Sequence, residues 1–257
     1  MLAQDRVQVN GIVCRRAAHP VLPGDTLEIG PRGVPPGLPA GLQILSEDED
    51  ILVVVKPAGL LTAATPDERE RTAFNLLRRY LEQRDSAQAL QIVHRLDKHT
   101  SGILVFAKNP AARENLKDLF SRHDIRRRYW AIVLGRVADD SGVIRSYLVE
   151  EKNFRVHSVR DRKRGKLAIT HYRVLGRYRD VTALEVTLET GRKNQIRVHL
   201  SEIGHPVAGD RAYGSGGDLF GRLGLHAFHL GFVHPSRNVP VEFSTEPPPE
   251  FRPYIPL

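Results

Sequence analysis

The sequence predicts an α+β fold, and three observations carry that prediction. Residues 51–55 form an uninterrupted apolar run rich in valine and isoleucine, as a strand buried on both faces would. Two later segments open with helix caps and continue with apolar residues at helical spacing. No internal repeat appears, and strands and helices do not alternate as a doubly wound parallel sheet requires. At 257 residues, 41% of them hydrophobic, the chain can form one large domain, alone or with a small appendage.

Taken in order, residues 1–29 read as a small β-rich piece. Val7-Gln8-Val9-Asn10-Gly11 alternates and ends in a turn pair, and Gly24-Asp25-Thr26-Leu27-Glu28-Ile29 repeats the pattern. Residues 30–41 hold four Gly and four Pro in twelve positions, so they read as a linker. A compact domain then runs over 42–257. After the 51–55 strand, Lys56-Pro57-Ala58-Gly59 turns the chain. Ala73, Leu76, Leu77, Tyr80 and Leu81 follow helical spacing, with Thr72 as N-cap. Asn109-Pro110 starts a second helix, whose core face is Ala112, Leu116, Leu119 and Phe120. Residues 129–135, 168–175 and 182–188 read as strands. In the last, Leu184, Val186 and Leu188 alternate with Glu185 and Thr187, which leaves one face wet. Residues 194–204 fit either period. Asn194 as a cap and Gly204 just past the end favour a helix.

Composition bounds the function. The net charge of +8 favours a polyanionic partner, nucleic acid first. The single Cys14 excludes an intramolecular disulfide and a cysteine-based metal site. No apolar run is long enough to span a membrane, and the N-terminus lacks signal-peptide character. A cytoplasmic, monomeric protein that does not contact membranes is expected.

One stretch organises the chain: Val93-His94-Arg95-Leu96-Asp97-Lys98-His99-Thr100-Ser101-Gly102. It sets one carboxylate, Asp97, among His94, Arg95, Lys98 and His99, surroundings that favour the charged form. As a bare pattern it is a polar loop with an ordinary ion pair. The string also resembles the H-R-L-D-x-x-T-S-G signature of the RluA-type RNA pseudouridine synthases. Residues 47–60 resemble that family's E-D-x-x-x-x-V-x-N-K-P-x-G-L motif, with Val55 in place of Asn. Thr190-Gly191-Arg192-Lys193-Asn194-Gln195-Ile196-Arg197-Val198-His199 resembles T-G-R-x-H-Q-I-R-V-H, with Asn194 in place of His. Residues 127–131 resemble K-x-Y-x-A, and residues 225–235 the family's L-H-A…F-x-H-P ending. The first 29 residues resemble the C-terminal half of an S4 RNA-binding domain without its helical half. A simple β-hairpin flap fits them as well.

The resemblance implies a mixed, largely antiparallel sheet with flanking helices. The reaction it implies needs no metal or cofactor, because substrate and product are isomers. It assigns Asp97 as the catalytic carboxylate, either attacking the anomeric carbon or abstracting a ribose proton. Arg197 would pair with Asp97, where a bidentate guanidinium offsets the desolvation of a buried carboxylate. Tyr129 would stack on the extruded base and take part in proton transfer. Arg95 would fill the space of that base or contact a phosphate. Lys56, Arg127, Arg128 and Arg192, with the exposed run Arg162, Lys163 and Arg164, would bind RNA, although a charge run is equally a solvated face. Ribosomal RNA is favoured over transfer RNA as substrate.

Other constellations are weaker. His226, His229 and His234 lack a completing Asp, Glu or Cys, so no metal site is expected. Ser101 shows no base and orienting partner for acyl transfer, and a glycosidase normally needs two carboxylates. The remaining alternative is a non-catalytic RNA-binding protein that keeps the fold.

Overall fold

The computed structural model describes residues 7–10, 12–13, 19–29, 41–84, 89–152, 154–214 and 219–256. The Gly/Pro stretch 30–40, Cys14 and Ser215 to Gly217 lie outside the described residues.

At the N-terminus, β1 (Val7–Val9), β2 (Ile12–Val13) and β3 (Leu27–Ile29) form a three-stranded antiparallel sheet in the order β2-β1-β3. Its two turn motifs lock each other. Asn10 sits at φ +51, its amide nitrogen donates to the Asp25 carboxylate at 2.7 Å, and its oxygen accepts the Thr26 N–H at 2.9 Å.

The main sheet begins with β4 (Gln43–Glu47) and β5 (Ile51–Lys56), and β5 is almost wholly buried. Helix α1 (Ala73–Gln83) follows, capped by Thr72, whose side chain accepts from the Asn75 N–H. Next come β6 (Gln91–Ile92), β7 (Ser101–Ala107) and α2 (Pro110–Arg122). Asn109 caps α2 by accepting the Ala112 N–H at 2.8 Å, and each such cap contributes about 1 kcal/mol. The remaining elements are β8 (Arg126–Leu134), β9 (Ser141–Glu150), β10 (Val156–Val159), β11 (Lys166–Arg177), β12 (Val181–Leu188), α3 (Gln195–Glu202), β13 (Leu225–Val233) and β14 (Pro240–Ser244). The strand expected at 129–135 starts earlier, at Arg126, because Arg126 to Arg128 pair with β12 and β13.

Eleven strands form one sheet with the path β10-β9-β11-β12-β8-β13-β7-β5-β4; β14 pairs with β13 and β6 with β7. Only the β13–β7 pairing is parallel, so the sheet is the mixed, largely antiparallel one expected. The two-residue period of the strands sorts the core. On one face Leu52, Val54, Leu104, Phe106, Tyr129, Leu184 and Val186 pack under α1 and α3. On the other, Ile51, Val53, Ile103 and Val105 pack under α2, and Trp130, Ile132 and Phe228 pack against Phe251 and Ile255 of the C-terminal segment. The first face carries the site.

Asn194 precedes α3 without capping it: its φ is +54 and its side chain makes no capping bond. The helix still ends as expected, with Gly204 at φ +83 just beyond it.

Candidate active site

The residues around Asp97 are fixed by the backbone, not by their charges. Thr62 pins the loop, donating its hydroxyl to the Leu96 carbonyl at 2.8 Å and accepting the Leu96 N–H at 3.1 Å. The Gly59 N–H donates to the Lys98 carbonyl at 2.8 Å and the Thr100 N–H to the Asp97 carbonyl at 3.2 Å. Gly102 closes the loop at φ +119, where a Cβ would lie 2.1 Å from the Ala227 carbonyl oxygen. That contact is the parallel β7–β13 junction, and only glycine fits it.

The ring of local cations expected around Asp97 does not form. His94 turns inward: its Nε2 accepts the Val105 N–H at 3.0 Å and its ring stacks on Phe120 with centroids 4.6 Å apart. Burial, with the Arg127 charge, pushes its pKa down to about 3, so the ring is neutral. Lys98 and His99 are exposed and stand off the cleft wall, and of the four local cations only Arg95, also exposed, lines the cleft with Asp97. The cation that reaches Asp97 comes from α3. Arg197 Nη1 lies 3.6 Å from Asp97 Oδ2, with the Asp97 side chain 23% exposed.

The bidentate pairing expected for Asp97 belongs instead to Asp210, which no local sequence signal marks. Arg197 Nε and Nη2 donate to Asp210 at 2.7 and 2.8 Å, and the Asp210 side chain is fully buried. The Ala212 and Tyr213 amides donate to the same carboxylate. Burial pushes the Asp210 carboxyl up, but Arg197 and these two amides outweigh it and hold it below the ordinary carboxylate range. The guanidinium is boxed in further by Asn194, whose oxygen accepts from Nη1 at 3.0 Å, and by the Tyr213 ring 5.0 Å away. Arg197 is thus aimed by Asp210 and presents one remaining edge to Asp97.

Tyr129 comes from β8, between β12 and β13. It lines the same cleft as Arg95, Asp97, Arg192, Asn194 and Arg197. Burial, with the Asp97 charge, raises its phenol above the ordinary value despite Arg127, so the hydroxyl keeps its proton. Arg192 is half buried, and its Nε donates to the Leu167 carbonyl at 3.1 Å.

Lys56 is a correction. It is fully buried, so it cannot meet RNA. Its Nζ donates to the carbonyls of Pro57 (2.9 Å), Leu60 (2.7 Å) and Lys98 (3.2 Å). Burial pushes it down to about 7, against the pull of Asp97, while three carbonyl acceptors match the three N–H groups of the charged form. Arg128 does not join the Asp97 cleft. Strand alternation puts it on the Trp130 side, where it pairs with Glu185 at 3.4 Å and lies over Phe228, away from Asp97. Arg127 is mostly buried at 9% exposure and rests over Phe120. Its Nη2 reaches the Glu189 carbonyl at 3.4 Å, and its Nε is the one buried side-chain polar atom without a partner among the described residues. Arg162, Lys163 and Arg164 are exposed at the β10–β11 turn.

The three histidines do not converge. His226 bonds Ser101 at 2.6 Å and Thr245 at 2.8 Å, His229 bonds Ser244, and His234 bonds Asp48. Ser101 therefore does have a histidine partner, but Arg222 also donates to its hydroxyl, and burial pushes His226 down to about 3. The group is a buried brace, with a ring too weakly basic to activate the hydroxyl.

The sequence pattern of the RNA pseudouridylate synthases matches residues 50–202, which span every one of these cleft residues except Asp210 and Tyr213. The chain belongs to the RNA pseudouridine synthases of the RluA type. It is an isomerase that converts uridine to pseudouridine in RNA. An RNA pseudouridine synthase of Aquifex aeolicus is 36% identical over 280 residues, covering 98% of this chain and 85% of that protein. The ribosomal large subunit pseudouridine synthase D of Zymomonas mobilis is 38% identical over 224 residues, covering 82% and 71%. The protein of the same name in Escherichia coli K12 is 34% identical over 265 residues, covering 94% and 79%. Among solved structures, human RNA pseudouridylate synthase domain containing 4 matches with a TM-score of 0.69 at 24% identity, over 81% of this chain and 90% of that one. Human RNA pseudouridylate synthase domain containing 1 matches with a TM-score of 0.65 at 28% identity, over 81% and 84%. The α+β pseudouridine synthase fold expected from the sequence is the one observed. No helix among the described residues is long and apolar enough to cross a membrane.

Proposed function

We propose that this synthase modifies uridine in large-subunit ribosomal RNA, acting as a cytoplasmic monomer with Asp97 as its catalytic carboxylate. The observation that carries the catalytic assignment is the partly exposed Asp97, 3.6 Å from a guanidinium already oriented by another acid. A carboxylate is held in the cleft beside a cation without being consumed by a bidentate bond. The ribosomal assignment is supported by the two relatives named for the large ribosomal subunit.

In this reading the target uridine leaves its stack, which costs a few kcal/mol. Contacts from Arg95, Arg192 and the Arg162, Lys163 and Arg164 turn to backbone phosphates offset that cost, whereas Arg127, expected to bind RNA, is buried against Phe120. Tyr129 stacks on the base, and its protonated hydroxyl is available for proton transfer. An ionised Asp97 serves either route. It attacks C1′ as the N1–C1′ bond breaks with its electron pair leaving on uracil, or it removes the C2′ proton as that same bond breaks, which gives a glycal and free uracil. After the base turns, C5 bonds to C1′ as the Asp97–C1′ bond breaks, or as C2′ of the glycal takes its proton back from Asp97, and C5 then gives up its proton. Residues 1–29 are read as an S4-like segment and 30–41 as the linker to the catalytic domain 42–257.

The test is pseudouridine mapping of total RNA from a deletion strain carrying either the wild-type gene or the Asp97→Asn variant. Large-subunit sites should vanish in the deletion and return only with wild type. Sites lost from transfer RNA alone would overturn the ribosomal assignment, and sites restored by Asp97→Asn would remove Asp97 from the chemistry. The purified variant should still bind RNA within about tenfold of wild type, because backbone charge dominates affinity.

A further inference from the structure

We propose that Phe154, at the turn joining β9 to β10, is a stacking platform for an unpaired base that flanks the target uridine. The residue is unusual in three ways at once. Its side chain is 71% exposed. Its φ is +64, a left-handed conformation that a bulky residue adopts only under strain and that glycine or asparagine takes freely. And the turn holds it there: the Phe154 N–H donates to the Glu151 carbonyl at 2.8 Å, and the Glu151 N–H to the Arg155 carbonyl at 2.9 Å. A lone exposed apolar residue needs no explanation. A phenylalanine kept in a strained position and aimed at solvent is better explained by use.

The ring is tied to the active site. Lys193 Nζ lies 5.1 Å from the ring centroid, donates to the Phe154 carbonyl at 3.2 Å, and pairs with Glu150 at 2.5 Å. Lys193 sits between Arg192, which lines the Asp97 cleft, and Asn194, which bonds Arg197. The ammonium covers one side of the ring and leaves the rest open. Between this hairpin and the loop before α3 lies a cavity of about 460 Å³, whose lining carries four cations, Arg164, Lys166, Arg192 and Lys193, against one carboxylate, Glu150, which is paired with Lys193.

These surroundings select the ligand. An apolar peptide would gain little from a single aromatic ring beside a cavity in which cations outnumber the one carboxylate. A nucleotide strand presents both matching surfaces, a π face for the ring and phosphates for the cations, and stacking on aromatic side chains tolerates any base. The cavity shares Arg192 with the catalytic cleft, so a strand passing through it would continue toward Asp97. The proposal rests on RNA as substrate and not on which RNA is modified. Pseudouridine lost from transfer RNA alone would overturn the ribosomal assignment and leave this one standing.

The test is equilibrium binding of two probes, a twelve-nucleotide oligouridylate and an abasic oligomer of the same length, to wild type, F154A, F154L and F154W. Thermal melts run alongside, and because the side chain is exposed they should not drop. F154A and F154L should weaken oligouridylate binding about tenfold and leave the abasic oligomer unaffected, while F154W should bind like wild type. In F154W the new indole emission should be quenched by oligouridylate, since the chain's one native tryptophan, Trp130, is 9% exposed. Equal binding by F154A and wild type, an equal loss on both probes, or F154W behaving like F154A would overturn the proposal.

Discussion

Asp97 and Arg197 meet at 3.6 Å, yet the two short, direct bonds of the guanidinium go to Asp210. One cation therefore sits between two carboxylates, and the buried acid sets its position. Arg197→Met would strand both acids. It should destabilise the fold by about 3–5 kcal/mol, the usual cost of leaving one member of a buried pair alone. Asp210→Asn should cost a similar amount, and the double variant should lose clearly less than the sum. The Asp97→Asn and Arg197→Met pair should be closer to additive, because their contact is longer and partly wet. Urea unfolding of both cycles decides this. Stronger coupling at Asp97 than at Asp210 would reverse the assignment of partners. Turnover should fall sharply in Arg197→Met and Asp210→Asn alike, although neither side chain forms or breaks a substrate bond.

At the scale of elements, the Asp97 loop is held by the end of β5. Lys56 leaves that strand buried and bonds the carbonyls of Pro57, Leu60 and Lys98, which links the turn after β5 to the residue following Asp97. Lys56→Met keeps the volume and removes all three bonds. It should lower stability by about 2–4 kcal/mol and reduce turnover, while the salt dependence of RNA binding stays as in wild type because Lys56 meets no phosphate. Melting curves and salt titrations of RNA binding check both halves. A shallower salt slope in Lys56→Met would put the ammonium back at the RNA surface. The helices needed no such tertiary reading: Thr72 and Asn109 cap α1 and α2 as their local pattern predicts. Residue 194 shows where that reading stops. It starts a helix in the expected place, but its side chain serves Arg197 and not the helix end.

Across the whole molecule, buried neutral histidines join distant strands. His199 bonds Thr170 and Ser146, bringing α3 to β11 and β9, and His226 joins β13 to β7 through Ser101. Burial pushes them down to about 4 and about 3. Unfolding releases both to an ordinary value near 6.5, so below that pH the unfolded chain takes up protons that the folded chain refuses. The histidine contribution to stability should be level above pH 6.5 and fall as pH drops toward 4. Each histidine then contributes up to about 1.4 kcal/mol per pH unit. Urea midpoints from pH 7.5 to 4.5 check this. The His199→Gln variant, less stable at neutral pH, should show a shallower acid limb, and an acid limb as steep as wild type would mean that His199 titrates normally in the fold.

The sequence by itself determined what short-range patterns carry. The buried strand at 51–55, both capped helices, the alternation that puts Tyr129 and Trp130 on opposite faces, and the Asp97 signature were all legible, because these signals lie within a few neighbouring residues. The same alternation, applied one residue earlier, already sets Arg128 on the far face; the count of cations around Tyr129 concealed it. Tertiary structure alone decided three things: that Asp210 takes the bidentate face of Arg197, that Lys56 is a staple inside the loop, and that His94 turns inward while only Arg95 of the neighbouring cations lines the cleft. Asp210 and Arg197 are thirteen positions apart, and Lys56 and Lys98 forty-two. At those separations, which groups meet is set by sheet order and packing, and a buried charge takes the partner that the fold brings within reach of both its oxygens.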